Sequence, residues 1–268
     1  MIKCTYINFG DMTERSKAFE RLAVIMDELR EKCPWDRKQT LDSLRHLTIE
    51  ETYELADSIV DHDMQAIKKE LGDLMLHLLF YAKIASEEKA FDIVEVINAQ
   101  CEKLIFRHPH IYGDVQVHDE DDVKRNWEVL KLREGNKSVL DGVPMSLPSM
   151  IKSMRIQEKV RGVGFDWENA GQVWEKVEEE LREFREAAES GREEDALSEF
   201  GDVMFSLINY ARFKNINPDE ALERTNKKFI RRFKYLEEAA KKSGKSLSEM
   251  TLSEMDVYWN EAKNLNPE

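Results

Sequence analysis

The residues in this chain whose types and spacing can do chemistry are two blocks of acids. Glu50, Glu51 and Glu54 form E-E-x-x-E, and Glu70, Gly72 and Asp73 form E-x-G-D. Both blocks recur 129 residues later, as Glu179, Glu180 and Glu183 and as Glu199, Gly201 and Asp202. Residues three apart share a helix face, so Glu51 with Glu54 and Glu70 with Asp73 are carboxylate pairs on successive helices. The break at 60–63, or 190–191 in the second copy, lets the two helices fold back antiparallel and turns four carboxylates toward one another. Such a cluster repels itself near neutral pH unless a cation sits in it. An all-oxygen ligand set suits a hard ion such as Mg²⁺, and Mg²⁺ in turn suits a phosphate-bearing substrate.

The recurrence extends beyond the acids. At the same offset Met75, Leu78, Tyr81 and Ala82 fall on Met204, Leu207, Tyr210 and Ala211 without a gap. With 54 Asp and Glu in 268 residues, acids alone coincide by chance; acid, glycine and core positions together do not. The pattern is read as a tandem duplication. A lone E-x-x-E is ordinarily a solvated helix face. Here, however, Glu70 and Asp73 lead into Leu74, Met75, Leu76, Leu78, Leu79 and Phe80, apolar nearly all round, which predicts a helix buried on several sides. Gly72 and Gly201 weaken the helices they stand in and are explained either by close helix approach at the site or by packing alone.

The elements that must position these acids are helices. Apolar residues recur at helical spacing over 14–32, 41–60, 64–88, 92–107, 148–160, 168–189, 193–214, 219–242 and 251–263, with a charged helix near 121–134, and no stretch alternates with period two. Pro34 stops the first helix, and Pro109 and Gly113 break the chain. The densest breaker cluster, Gly135, Gly142, Pro144 and Pro148, marks a linker. The expected architecture is all-α: a helical repeat over 14–113, a linker over 114–147 and a second repeat over 148–268. Composition agrees, with only 11 Gly and 6 Pro. The net charge of −14 argues against general nucleic-acid binding. Cys4, Cys33 and Cys101 are far apart, which suits a reducing cytoplasm, and no apolar run is long enough for a membrane span.

The tandem blocks resemble those of the MazG family of nucleoside triphosphate pyrophosphohydrolases. Supporting segments are Cys33-Pro34-Trp35-Asp36, Arg107-His108-Pro109-His110, Asn126-Trp127-Glu128, Val163-Gly164-Phe165-Asp166-Trp167 and Lys228-Phe229-Ile230-Arg231-Arg232-Phe233. The resemblance covers nearly the whole chain. It implies a helical homodimer that cleaves nucleoside triphosphates to the monophosphate and pyrophosphate with Mg²⁺, or Mn²⁺ in its place, tolerating many bases in nucleotide-pool housekeeping. It assigns metal binding to Glu51, Glu54, Glu70 and Asp73 and to Glu180, Glu183, Glu199 and Asp202. Beside them, Glu50 and Glu179 are candidates for positioning water. It places Lys176, Lys228, Arg232 and Trp259 near the nucleotide of the second repeat. Lys103 and Arg107 match Lys228 and Arg232 at an offset of 125, but Leu47 stands where the second repeat has Lys176. The second repeat is therefore expected to carry most of the activity.

Other chemistries fit the same residues less well. A non-catalytic scaffold would use the acids only for solubility, and metal dependence separates it from an enzyme. A di-iron carboxylate bundle needs E-x-x-H on two helices, whereas this chain has E-x-x-D, and His77 has Ser206 as its counterpart. Gly244-Lys245-Ser246 resembles the end of a P-loop, but Ala239 stands where the first glycine belongs. His62-Asp63 reads as a loop or cap, since Gly191-Arg192 replaces it in the second copy.

Overall fold

The computed structural model describes residues 13–265 apart from 118, 120–121, 124–125, 127–129 and 131–137. Cys4, Trp127, Glu128, Gly135 and most of the helix expected over 121–134 lie outside the described residues. Among the described residues there is no strand, and the fold is all-α. The helices are α1 (Glu14–Lys32), α2 (Leu41–Val60), α3 (Met64–Glu87), α4 (Ile93–Arg107), α5 (Pro109–Tyr112), α6 (Ser149–Arg161), α7 (Ala170–Glu189), α8 (Glu193–Phe213), α9 (Pro218–Lys242) and α10 (Leu252–Leu265). The chain divides into two compact units, the first ending at Leu130 and the second starting at Lys131.

Each unit is organised around a helical hairpin. In the first, α2 begins at a capping box in which Thr40 and Ser43 exchange side-chain and backbone hydrogen bonds. It ends at Asp61, and Asp63 then caps α3 by accepting from the Gln65 and Ala66 N–H groups. Between them His62 takes a left-handed conformation, φ 55°. In the second, α7 and α8 are joined through Ser190, Gly191 and Arg192, and Gly191 has φ 72°. His62 and Gly191 are counterparts in the repeat. The chain reverses there through one left-handed residue, free of steric cost for glycine and costing about 1–2 kcal/mol for histidine. His62-Asp63 is thus a turn and a cap.

The first core gathers Met26 of α1, Leu44 of α2 and Leu79, Phe80 and Ile84 of α3, with Phe19, Leu22, Leu47, Leu76, Tyr81 and Ile93 against it. These residues come from four helices, α1 to α4. In the second unit Val173 and Val177 of α7, Val203 and Ile208 of α8, Leu236 and Ala240 of α9 and Ala262 of α10 are buried.

Pro109 and Gly113 punctuate the chain as expected: α4 ends at Arg107, Pro109 takes the first position of the separate short helix α5, where its missing N–H has no partner to lose, and Gly113 caps that helix. Within its own unit α3 is covered along one side: Leu79, Phe80, Ala82, Ile84 and Ala85 are buried while Leu71, Met75 and Leu78 are exposed. Gly72 and Gly201 do not serve close helix approach within their units, since an added Cβ would meet nothing within 4 Å.

At the C-terminus α9 turns into α10 through Gly244, at φ 76°, and a capping box between Ser246 and Glu249. Gly244-Lys245-Ser246 is this turn and not a phosphate loop. Lys245 Nζ lies 2.6 Å from Glu254 Oε1. That ammonium, with the Thr251 N–H and hydroxyl, pulls the Glu254 carboxyl down to about 2 from an ordinary 4.5. A carboxyl depressed in the folded state stabilises above its unfolded pKa, and the contribution is lost as pH falls through the folded value. The unfolding midpoint of the native chain should therefore exceed that of Glu254→Gln by about a degree or two near neutral pH. The gap should narrow below 4.5 and close near 2, as followed by circular dichroism melts.

Candidate metal centres

In the first unit α2 contributes Glu51, and α3 contributes Glu70 and Asp73. One oxygen from each lies within 4.8 Å of the other two. The hairpin is pinned one turn deeper by Thr48, whose Oγ1 is 3.0 Å from His77 Nδ1 and 2.5 Å from the Tyr81 hydroxyl. Thr48 precedes Glu51 by one turn and His77 follows Asp73 by one turn, so this polar contact sets the register in which the acids meet. His77 is buried, and its pKa is lowered by burial against the pull of Asp73, so it remains a neutral packing residue. Its counterpart Ser206 is also buried and donates to the Val203 carbonyl.

The electrostatics show what this cluster lacks. Glu70 is only 5% exposed. Glu51 Oε2 is buried with no hydrogen-bond partner. Burial first, then the charges of Asp73, Glu54 and Glu70, raise the Glu51 pKa, and Lys69 opposes them. A buried carboxylate oxygen without a partner is costly, and a cation bound among the three carboxylates supplies the missing one. The all-oxygen donor set and the orphaned oxygen therefore fit a hard divalent ion. Among the described residues neither three-acid group includes histidine or cysteine, which excludes the E-x-x-H di-iron pattern for them.

The second unit repeats the arrangement with Glu180 of α7 and Glu199 and Asp202 of α8, again with one oxygen each inside 4.8 Å. Glu180 is buried. The Glu199 carboxyl is raised by burial, followed by Glu183, Asp202, Glu180 and Asp195. Lys176 Nζ is 2.6 Å from Glu180 Oε1 and 2.9 Å from Glu179 Oε1, which strongly raises its own pKa.

The remaining predicted residues divide by position. Glu54 lies outside the first three-acid group but reaches it through Lys69, whose Nζ is 3.9 Å from Glu54, 3.0 Å from Glu70 and 3.7 Å from Asp73. Glu183 lies outside the second group but near enough to Glu199 to shift it. Glu50 is exposed, and Glu179 is half-buried against Lys176. Lys103 and Arg107 lie along α4, and Lys228 and Arg232 along α9, the latter two half-buried. Trp259 of α10 packs on Phe229, the residue after Lys228 in sequence, ring centroids 5.0 Å apart. Lys69 was not among the predicted site residues. The available signal was its place immediately before Glu70, but a lysine among helical acids ordinarily marks a solvated face.

Residues 39–112 match the MazG nucleotide pyrophosphohydrolase domain, and residues 148–229 match phosphoribosyl-ATP pyrophosphohydrolase. A Thermotoga maritima protein named nucleoside triphosphate pyrophosphohydrolase/pyrophosphatase MazG is 42% identical over 257 residues, covering 94% of this chain and 98% of its own length. The Escherichia coli K12 nucleoside triphosphate pyrophosphohydrolase is 36% identical over 253 residues, covering 91% of this chain and 96% of its own. Bacillus subtilis YabN, an uncharacterized protein, is 47% identical over 251 residues, which are 91% of this chain and 51% of that protein. With such likeness along nearly its full length, and with the acidic blocks paired on two helical hairpins, the chain belongs to the MazG family of nucleoside triphosphate pyrophosphohydrolases.

Proposed function

We propose that this chain hydrolyses nucleoside triphosphates to the monophosphate and pyrophosphate with Mg²⁺, Mn²⁺ serving in its place. The observation that carries the reading is the pair of three-carboxylate groups, one of which holds a buried oxygen without a partner. Glu51, Glu70 and Asp73 would hold the ion in the first repeat and Glu180, Glu199 and Asp202 in the second, with Glu54 and Glu183 flanking them. Bound there, Mg²⁺ supplies charge neutralisation of the triphosphate and a more acidic water. Glu50 and Glu179 are assigned to orient and deprotonate the water that attacks the α-phosphorus. The bond from that phosphorus to the bridging oxygen breaks, and pyrophosphate leaves.

Lys176, Lys228 and Arg232 take the negative charge of the phosphates in the second repeat, with Lys103 and Arg107 as the reduced set of the first. Trp259 stacks on the base. Stacking accepts any base, which supports broad specificity and a role in nucleotide-pool housekeeping. The repeats are assigned to 14–113 and 148–268 with 114–147 between them, the second being the main catalytic unit. A homodimer is proposed from the apolar residues exposed along α3 and α8. Cys33 and Cys101 are free, and among the described residues no helix is long and apolar enough to cross a membrane; both facts support placement in the cytoplasm. The net charge of −14 argues against general nucleic-acid binding.

A panel of nucleoside triphosphates with and without Mg²⁺, its products resolved, tests this directly. Pyrophosphate and monophosphate should appear in equal amounts, with turnover abolished by chelation. Orthophosphate with a diphosphate would overturn attack at the α-phosphorus. Absence of metal-dependent turnover on every nucleotide would favour an acidic scaffold.

A further inference from the structure

The two three-acid groups share their carboxylates but draw their lysine from opposite arms of the hairpin. In the first repeat Lys69 comes from α3, and its ammonium lies within 4 Å of Glu70, Asp73 and Glu54, so it touches acids on both helices. Ser198 stands at the corresponding place in the second repeat. There Lys176 comes from α7, and among the described residues its ion pairs are with Glu179 and Glu180 of that same helix. Leu47 is the counterpart of Lys176. One lysine thus bridges the first hairpin and contacts two of its three converging acids, whereas the other contacts a single member of its group.

We propose that Lys69 is the resident counter-ion of the first repeat, balancing its carboxylates in the metal-free protein and thereby lowering the affinity of that repeat for divalent cations. This rests on the reading of the acids as a Mg²⁺ site. An ammonium a few ångströms from a divalent ion is repelled by it, so the ion either binds against that charge or drives the side chain away. Lys69 is 66% exposed, so solvent screens the repulsion and the long side chain has somewhere to go. The effect is therefore bounded: removal of the charge should tighten binding by about three- to tenfold. Lys68, the exposed neighbour one residue earlier, carries the same charge and serves as the control for net charge alone.

The test uses the full chain carrying Glu180→Gln and Glu199→Gln, so that only the first repeat retains all three of its converging acids, and reads Mn²⁺ binding from the loss of the free-ion electron paramagnetic resonance signal. Added Lys69→Met should lower the Mn²⁺ Kd by about three- to tenfold, while added Lys68→Met should leave it within about twofold. A Kd unchanged or raised by Lys69→Met, or lowered equally by Lys68→Met, overturns the counter-ion role while leaving the metal site standing. No Mn²⁺ binding with any of these chains sinks the metal reading of the first repeat and this proposal with it.

Discussion

Glu180→Gln is expected to reduce turnover at the second repeat by at least about a hundredfold, with the fold intact. The substitution keeps side-chain size and one oxygen but removes the charge of a buried carboxylate that converges with Glu199 and Asp202. Neutralising one member of a mutually repelling group does not destabilise the hairpin, whose packing rests on Val173, Val177, Val203 and Ile208. Circular dichroism should therefore be unchanged. Glu51→Gln should cost much less overall, because Lys176, Lys228, Arg232 and Trp259 accompany the second acidic block while only Lys103 and Arg107 clearly accompany the first. Steady-state assays of both variants decide the matter. Full activity in folded Glu180→Gln with its loss in Glu51→Gln would reverse the assignment. A loss of about half in each would make the repeats independent and equal.

The acids that converge could be found in the sequence because helical geometry is local: Glu70 and Asp73 are one turn apart wherever the helix goes, and the repeat supplies the second hairpin as a check. The hairpin turns were legible for the same reason, since Gly191 and the Asp63 cap are chemical signals confined to a few residues. What escaped depended on partners distant in sequence. Lys69 belongs to the cluster through its contact with Glu54 across the hairpin, and nothing at positions 68–70 alone distinguishes it from a solvated lysine. The outer side of α3 reads as buried because Met75 and Leu78 are apolar, but hydropathy records what a face prefers and not whether its own unit covers it. Likewise Gly72 and Gly201 suggested close helix contact, yet nothing in either unit approaches them.

Charge placed on those uncovered faces should dissociate the protein. Leu71, Met75 and Leu78 stand at helical spacing along α3, and their counterparts Phe200, Met204 and Leu207 along α8, with all but half-buried Met204 exposed. A row of large apolar residues left in water at the same place in both repeats calls for a covering surface. The proposed homodimer would supply one, and Gly72 and Gly201, lying beside these rows with open space over them, leave room for another backbone to come near. In a two-fold dimer each substitution counts twice. Burial of a leucine is worth about 1.5–3 kcal/mol, so losing it from both copies costs about 3–6 kcal/mol before any penalty for burying charge. Leu71→Glu with Leu78→Glu, or Phe200→Glu with Leu207→Glu, should therefore weaken association by at least about a hundredfold. Sedimentation velocity at low micromolar concentration should show the native chain at twice its 31.4 kDa mass and at least one double variant at the single-chain mass with its helical circular dichroism retained. A native chain that sediments as a monomer with undiminished activity overturns the dimer outright. A dimer that survives both double variants would place its contact elsewhere and leave the two apolar rows without this explanation.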